Sequence, residues 1–403
     1  MKVSKILSLL LAASSSLLFA NEKTTDLDKY ISENKNEQFR YDYQKNEAEG
    51  SKLRDSWIAP LNLSYSYSKS NPYETTQVSK NAAIRMDQPI FQTGGIYYGI
   101  KFAKASKLYA DYSVDIAKRK MIKDAISLLM QIKQTGYRIS KQKYLIKNAD
   151  INLELKKDQY MSGQLDSSFL DSAIIERNSV IQTLYDIETS KEKLISTFST
   201  ISDISHETAS IPHLELLTKD EFLKNNLVVN MTKSQVERDK YNKNVTIAKY
   251  LPKVSITAGY NWSETNSKFN FGSAEKEYKD YGIKVTIPIS INTFRDIESA
   301  KIDYLKSEIV AQDKKRELNA LFEQVVQNID NLDKKKLLSV ENIGIYQKLL
   351  DDTKELYKAG YKTEYDVETL ANSVVISELD SKIYEIDKQL ELLNLYEMYV
   401  NDF

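Results

Sequence analysis

Between Gly95 and Gln159 the chain runs without proline, and its only internal glycines are Gly99 and Gly136. Within this stretch Met121, Ala125, Leu128 and Ile132 step by four, three and four, the spacing of one helix face. An unbroken helix of about 65 residues is about 100 Å long, a length for which a single soluble domain has no use. A second such stretch runs from about Thr293 to Leu356, with Leu318, Leu321, Val325, Ile329 and Leu332 at the same steps. Leu379, Ile383, Ile386, Leu390 and Leu393 continue the pattern after Gly360, which predicts coiled-coil-like packing. The composition agrees. Only 11 Gly and 6 Pro interrupt 403 residues, and 28% of the residues are charged.

The two long stretches belong to a duplicated unit. Tyr160-Met-Ser-Gly163-Gln-Leu-Asp is answered by Tyr357-Lys-Ala-Gly360-Tyr-Lys-Thr. Gln88-Pro89-Ile90-Phe91 is answered by Ile287-Pro288-Ile289-Ser290, and Ala59-Pro60-Leu61 by Leu251-Pro252-Lys253. The offsets are all roughly 190 to 200 residues, far too long for a solenoid repeat. Each unit reads as two strands, a very long helix, a glycine turn and a returning helix. The first unit is predicted over 21–210, with strands at 61–70 and 82–90 and a helical hairpin over 95–202. The second is predicted over 211–403, with strands at 253–262 and 279–289 and a hairpin over 293–401. Shorter helices over about 166–198 and 219–249 have the summed length of one long helix, as do those over about 25–56 and 364–400. Stacking each pair end to end predicts four columns per chain.

The strands carry a strict period of two. Leu61, Leu63, Tyr65 and Tyr67 alternate with Asn62, Ser64, Ser66 and Ser68. Val254, Ile256, Ala258, Tyr260 and Trp262 alternate with polar residues or glycine, and Tyr281, Ile283, Val285 and Ile287 do the same. Segments of about ten residues with one apolar face fit either a soluble sandwich or tilted strands that cross a bilayer. The opposite face is uniformly Ser, Thr, Asn and Lys, which favours a wet lumen. The tyrosines and Trp262 suit an aromatic girdle. Polar loops are expected over Asn71–Lys80 and Ser263–Glu277.

Residues 1–20 read as a secretory signal peptide, with Lys2 and Lys5, an apolar run from Ile6 to Leu18, and Leu18-Phe19-Ala20 before the polar Asn21. No later stretch is apolar for long enough to be a transmembrane helix. Entry into a membrane therefore requires a closed β-barrel. Four strands cannot close one, and an open sheet edge cannot face lipid, so several copies must contribute. A dimer gives eight strands, a trimer twelve and a tetramer sixteen, and the strand pattern does not choose among them.

Near-neutral charge, 56 Lys and Arg against 57 Asp and Glu, argues against nucleic-acid binding. The chain has no cysteine, which removes disulfides, thiolate nucleophiles and Cys-ligated metals. His206 and His213 lie seven apart between helices, without metal-ligand spacing. No phosphate loop or nucleophile elbow is present, so neither an enzyme nor a cofactor is expected.

Taken together, the duplicated strand-exit motifs, the two Tyr-x-x-Gly turns and the helix lengths between them resemble the TolC family of outer-membrane efflux and secretion channels. The likeness covers about Thr25 to Val400. It implies a homotrimer in the outer membrane: a twelve-stranded β-barrel, four strands per chain, continuous with a long α-helical tunnel in the periplasm. It also implies an exit duct for a tripartite efflux pump or type I secretion system, docked tip first on a periplasmic adaptor bound to an inner-membrane transporter. The resemblance places the docking tip at Gly163, Gln164, Leu165, Gly360 and Tyr361. It places the pore entrance at the start of the returning helix, with acidic residues six and nine positions after the second glycine. Asp366 matches the first of these and Thr369 departs from the second; Phe169 occupies the Asp366 position of the first unit. Tyr357 and Lys362 are the expected polar contacts that hold the entrance shut. Spacing alone equally allows Asp366 to be a helix-dipole residue at an N-terminus. The competing function is a periplasmic coiled-coil adaptor or structural protein without a barrel.

Overall fold

The structure, a computed structural model, describes residues 26–71, 76–266 and 273–399. The signal peptide expected over residues 1–20 lies outside the described residues. After a 3-10 turn (Asp26–Tyr30) come α1 (Glu33–Arg54), β1 (Asn62–Ser70), β2 (Gln77–Phe91), α2 (Gly95–Met161) and α3 (Ser167–Ser199). Then follow α4 (Lys219–Lys224), α5 (Leu227–Lys249), β3 (Lys253–Asn266), β4 (Ser273–Thr286), α6 (Thr293–Lys358) and α7 (Glu364–Tyr396).

The strands form one antiparallel sheet in the order β1-β2-β3-β4. Three strands reach further from the helices than their hydrophobic pattern indicated, β3 among them, which runs to Asn266 rather than 262. β2 begins at Gln77 rather than 82, because its polar start pairs with β1 from Ser70 to Ser66. β4 covers 273–286 rather than 279–289, because Ser273–Tyr278 pairs with Asn266–Asn261. Main-chain pairing does not require apolar side chains, so 77–80, 263–266 and 273–277 of the expected polar loops are strand. At its other end β4 stops before Pro288, which has no N–H to donate to a ladder. Pro89 is tolerated inside β2 because the register against β3 shifts there, between Pro89 and Phe91.

The helices form four antiparallel columns in the same lateral order as the strands, but their stacking differs from the expectation. The segment after α3 does not carry its column on into α5. Instead α1 stands on α3, with Ser32 N–H donating to Ile201 O at 2.8 Å and Glu33 N–H to Asp203 Oδ2 at 2.9 Å. Likewise α5 stands on α7, with Leu227 N–H donating to Met398 O at 2.8 Å and a β-bridge between Asn226 and Tyr399. The reason is the link between α3 and α4, which crosses sideways over α7. Its Leu214 N–H donates to Gln389 Oε1 at 2.7 Å, and Tyr396 Oη donates to Glu215 O at 3.0 Å. The chain thus moves over before turning up, and each free helix N-terminus finds acceptors at the end of the helix below it.

Two helices read as continuous are broken. Residues 219–249 divide at Asn225–Asn226, where the Asn226 side chain accepts from Val228 N–H at 2.9 Å and caps α5. The first helix starts only at Glu33, with Ser32 as its cap.

The apolar core is a waist at the height of these joints. Ile122, Ile126, Leu129 and Met130 of α2 meet Phe198, Leu214, Phe222, Phe322, Val325 and Leu392–Leu393 there. Phe222 and Phe322 stack with ring centroids 5.8 Å apart. Four helix ends meet at this level, so it is where polar backbone most needs covering.

Candidate functional site

The sheet has two chemically distinct faces, and its register fixes them. On one face Leu63, Ile84 and Tyr260 share a row. Neighbouring rows hold Tyr65, Ala82, Trp262 and Glu277, then Met86, Ala258 and Tyr281, then Gln88, Ile256 and Ile283, then Val254 with Val285, and Lys279 of β4 ends the row of Leu63, Ile84 and Tyr260. From Val254 to Trp262 this mainly apolar band runs about 27 Å along the strand, or about 20 Å of height at the tilt of barrel strands, and its charged members Lys279 and Glu277 lie in the two rows furthest from the helices. Tyr281 and Ile283 within it are 89% and 76% exposed. Beyond the band, Lys80 and Glu264 form an ion pair at 3.0 Å. The other face carries Ser64, Ser66, Asn81, Arg85, Asp87, Thr257, Asn261 and Asp280. Among the described residues, both edge strands, β1 and β4, have one side without a partner strand. The outermost helical columns, α1 over α3 on one side and α6 on the other, lie beyond those same two edges.

At the far ends of the long helices, about 100 Å from the sheet, lie the two glycine turns. Both are Schellman motifs. Gln164 N–H donates to Gln159 O at 2.8 Å and Gly163 N–H to Tyr160 O at 2.9 Å. Tyr361 N–H donates to Leu356 O and Gly360 N–H to Tyr357 O, both at 2.9 Å. The motif puts the residue after the cap in left-handed backbone, and φ is 73° at Gly163 and 79° at Gly360. Gly360→Ala is expected to cost about 1–2 kcal/mol, because a Cβ is strained at that φ whatever the space around it. Gly344→Ala, inside α6 with open space around it, is expected to gain about 0.5–1 kcal/mol. Opposite shifts in the urea midpoint check the pair; equal shifts would remove the turn argument.

Asp366 sits in a capping box. Its Oδ2 accepts from Thr363 N–H and from Thr363 Oγ1, both at 2.9 Å, while Asp366 N–H donates to Thr363 Oγ1 at 3.2 Å. The Thr363 backbone hydrogen bond holds the Asp366 carboxyl below the usual carboxylate range, and Lys362, 3.7 Å away, acts in the same direction. Lys362 is thus tied to Asp366 within one turn. Thr369 Oγ1 is used locally, donating to Tyr365 O at 2.8 Å. Tyr357 and Tyr361 are exposed, as are Gln164 and Phe169; Leu165 is half-buried.

Two features escaped the sequence reading. Asp166 caps α3, accepting from Ser168 N–H at 2.7 Å and from its hydroxyl, which holds this carboxyl low as well. Each returning helix therefore begins with a capping carboxylate, three residues after the glycine in one unit and six in the other, and Glu364 adds a second acid to the first turn of α7. The signal was Asp-x-Ser, a common cap pattern. The second feature is a polar seam between the hairpins. Gln134, Lys141 and Asn148 recur every seventh residue on α2 and meet Asp387, Asp380 and Asn372 of α7 at 2.5, 2.6 and 2.7 Å. Gln134 and Asn372 are buried.

A four-stranded sheet with one lipid-compatible face, joined to about 100 Å of paired helices, is a fold also found in solved outer-membrane channel proteins. The outer membrane protein VceC of Vibrio cholerae aligns with a TM-score of 0.72 at 13% identity, over 93% of this chain and 96% of that one. CusC aligns at 0.71 and 12% identity, over 92% and 90%. The CmeC outer membrane channel of Campylobacter jejuni aligns at 0.70 and 12% identity, over 94% and 86%. No protein-family model and no curated protein sequence matches the chain. Within one chain, the fold implied by the TolC resemblance, four antiparallel strands continuous with long helical hairpins, is the fold found.

Proposed function

We propose that this chain is an outer-membrane exit duct, closed as a ring of three copies into a twelve-stranded barrel with a periplasmic helical tunnel. One observation carries the reading. The sheet has a mainly apolar, outward-exposed belt on one face and a polar lining on the other, and its two open edges are flanked by the two open sides of the helical layer. Such a slab satisfies its edges in lipid only by joining further copies around a ring. A coiled-coil adaptor without a barrel leaves that belt without a purpose.

In this reading the duct serves a tripartite efflux pump or type I secretion system and passively conducts what an inner-membrane transporter and its adaptor deliver. Gly163, Gln164, Leu165, Gly360 and Tyr361 form the docking tip. Asp366, with Thr369, Tyr357 and Lys362, lines the entrance. Three copies of the Asp366 carboxylate, each partly offset by Lys362 beside it, set the charge of a narrow passage, and the carboxylates draw cations in. A partner that binds the open tip better than the closed one shifts the population toward open.

The test is reconstitution. The full chain is expected in the outer-membrane fraction, as a detergent-stable oligomer that conducts ions in planar bilayers. Asp366→Ala is expected to widen the entrance and to lower its preference for cations by several-fold. Unchanged conductance and selectivity would remove Asp366 from the entrance and leave it a helix cap.

A further inference from the structure

On the polar face of the sheet one row crosses three strands as Arg85, Gly259 and Asp280. Arg85 and Asp280 stand on β2 and β4, two strand spacings or about 9.6 Å apart. Their side chains nevertheless meet, Arg85 Nη2 lying 3.2 Å from Asp280 Oδ2. The carboxylate reaches across β3 because nothing stands on it there. A Cβ at Gly259 would lie 2.5 Å from Asp280 Oδ1 and 2.9 Å from Oδ2. From the next row, Asn261 Nδ2 donates to Asp280 Oδ1 at 2.6 Å and fixes the side chain in this position. Gly259 is thus a saddle that only a residue without a side chain can provide. The rows on the other side add Asp87 and Lys284, and Lys276 stands on this face opposite Ser263.

We infer that Asp280, laid over Gly259, neutralises Arg85 on the lumen face, and that this pair is a selectivity determinant keeping the barrel from favouring anions. The inference rests on the duct reading, because only a closed barrel makes this face a lumen. Each copy contributes one arginine to the same level of the ring. Unmasked, those arginines form a positive girdle, which in a confined aqueous passage favours anions. Paired, they leave ion preference to the remaining lumen charges, Asp87, Lys276 and Lys284, and to other parts of the conduit.

The experiment measures reversal potentials of the full-length channel in planar bilayers under a KCl gradient. Asp280→Asn is expected to move the anion-to-cation permeability ratio upward by at least about twofold, and Arg85→Gln to move it downward. The double variant is expected to return close to the starting value. Because the chain has no cysteine, Asp280→Cys supplies an internal control. It should be shifted toward anions as made, and shifted back once a negatively charged thiol reagent restores the lost charge. A conducting parent channel whose reversal potential is unmoved by any of these changes would overturn the inference. A parent chain that forms no channel would instead overturn the duct reading itself.

Discussion

Arginine at position 258 is expected to keep the chain out of the outer membrane, whereas arginine at position 257 is expected to leave assembly intact. Ala258 lies in the middle of the apolar belt, in one row with Met86 and Tyr281. Thr257 is its neighbour in β3 and faces the opposite way, in a row with Asp87 and Gly282. A lipid-facing arginine at mid-bilayer costs about 2–4 kcal/mol, and a ring of identical copies incurs that cost in each one. The sum approaches the whole stability of an ordinary domain, about 5–15 kcal/mol. The lumen-facing arginine keeps its water and gains an acidic neighbour in its own row. Membrane fractionation and detergent-resistant oligomer on a gel separate the two. Equal behaviour of both variants would mean that the apolar face is not in lipid.

The second large effect is expected at the seam between the hairpins. Lys141 of α2 and Asp380 of α7 pair at 2.6 Å, with side chains about a quarter to a third exposed. Lys141→Ala leaves a partly buried carboxylate without its partner, an effect of about 1–3 kcal/mol per subunit. If the entrance opens by parting α7 from α2, that energy is lost only from the closed arrangement. About 1.4 kcal/mol is tenfold in an equilibrium, so single-channel open probability should rise by on the order of tenfold or more. Exchanging the charges, Lys141→Asp with Asp380→Lys, should restore the parent value. A raised open probability that the exchange does not repair would place the effect in general loosening rather than in this pair.

The sequence was most informative where structure follows from local periodicity. The long helices, the turns at Gly163 and Gly360 and the faces of β1 and β3 are set by spacings of three to four or two, which need no tertiary knowledge. Asp366 was legible as a helix-start residue, and it caps α7. Less legible were features whose local signal is weak. The break at Asn225–Asn226 interrupts no hydrophobic pattern, and the cap at Asp166 is a short polar motif in a polar turn. The seam is a seven-residue repeat of Gln134, Lys141 and Asn148. In one helix that reads as an ordinary solvated stripe, and only α7 gives it partners.

Composition and pattern by themselves determined that this chain builds duplicated strand pairs on very long helical hairpins, because glycine and proline placement and side-chain period act on neighbouring residues. Only the tertiary structure decided which short helices share a column. Both pairings have the same total length, so length could not choose between them. The choice was made where Gln389 and Tyr396 bind the crossing segment at Leu214 and Glu215 and send the chain sideways. The meeting of Arg85 with Asp280 across Gly259 was decided in the same way, since two charges almost 200 residues apart become neighbours only through strand register.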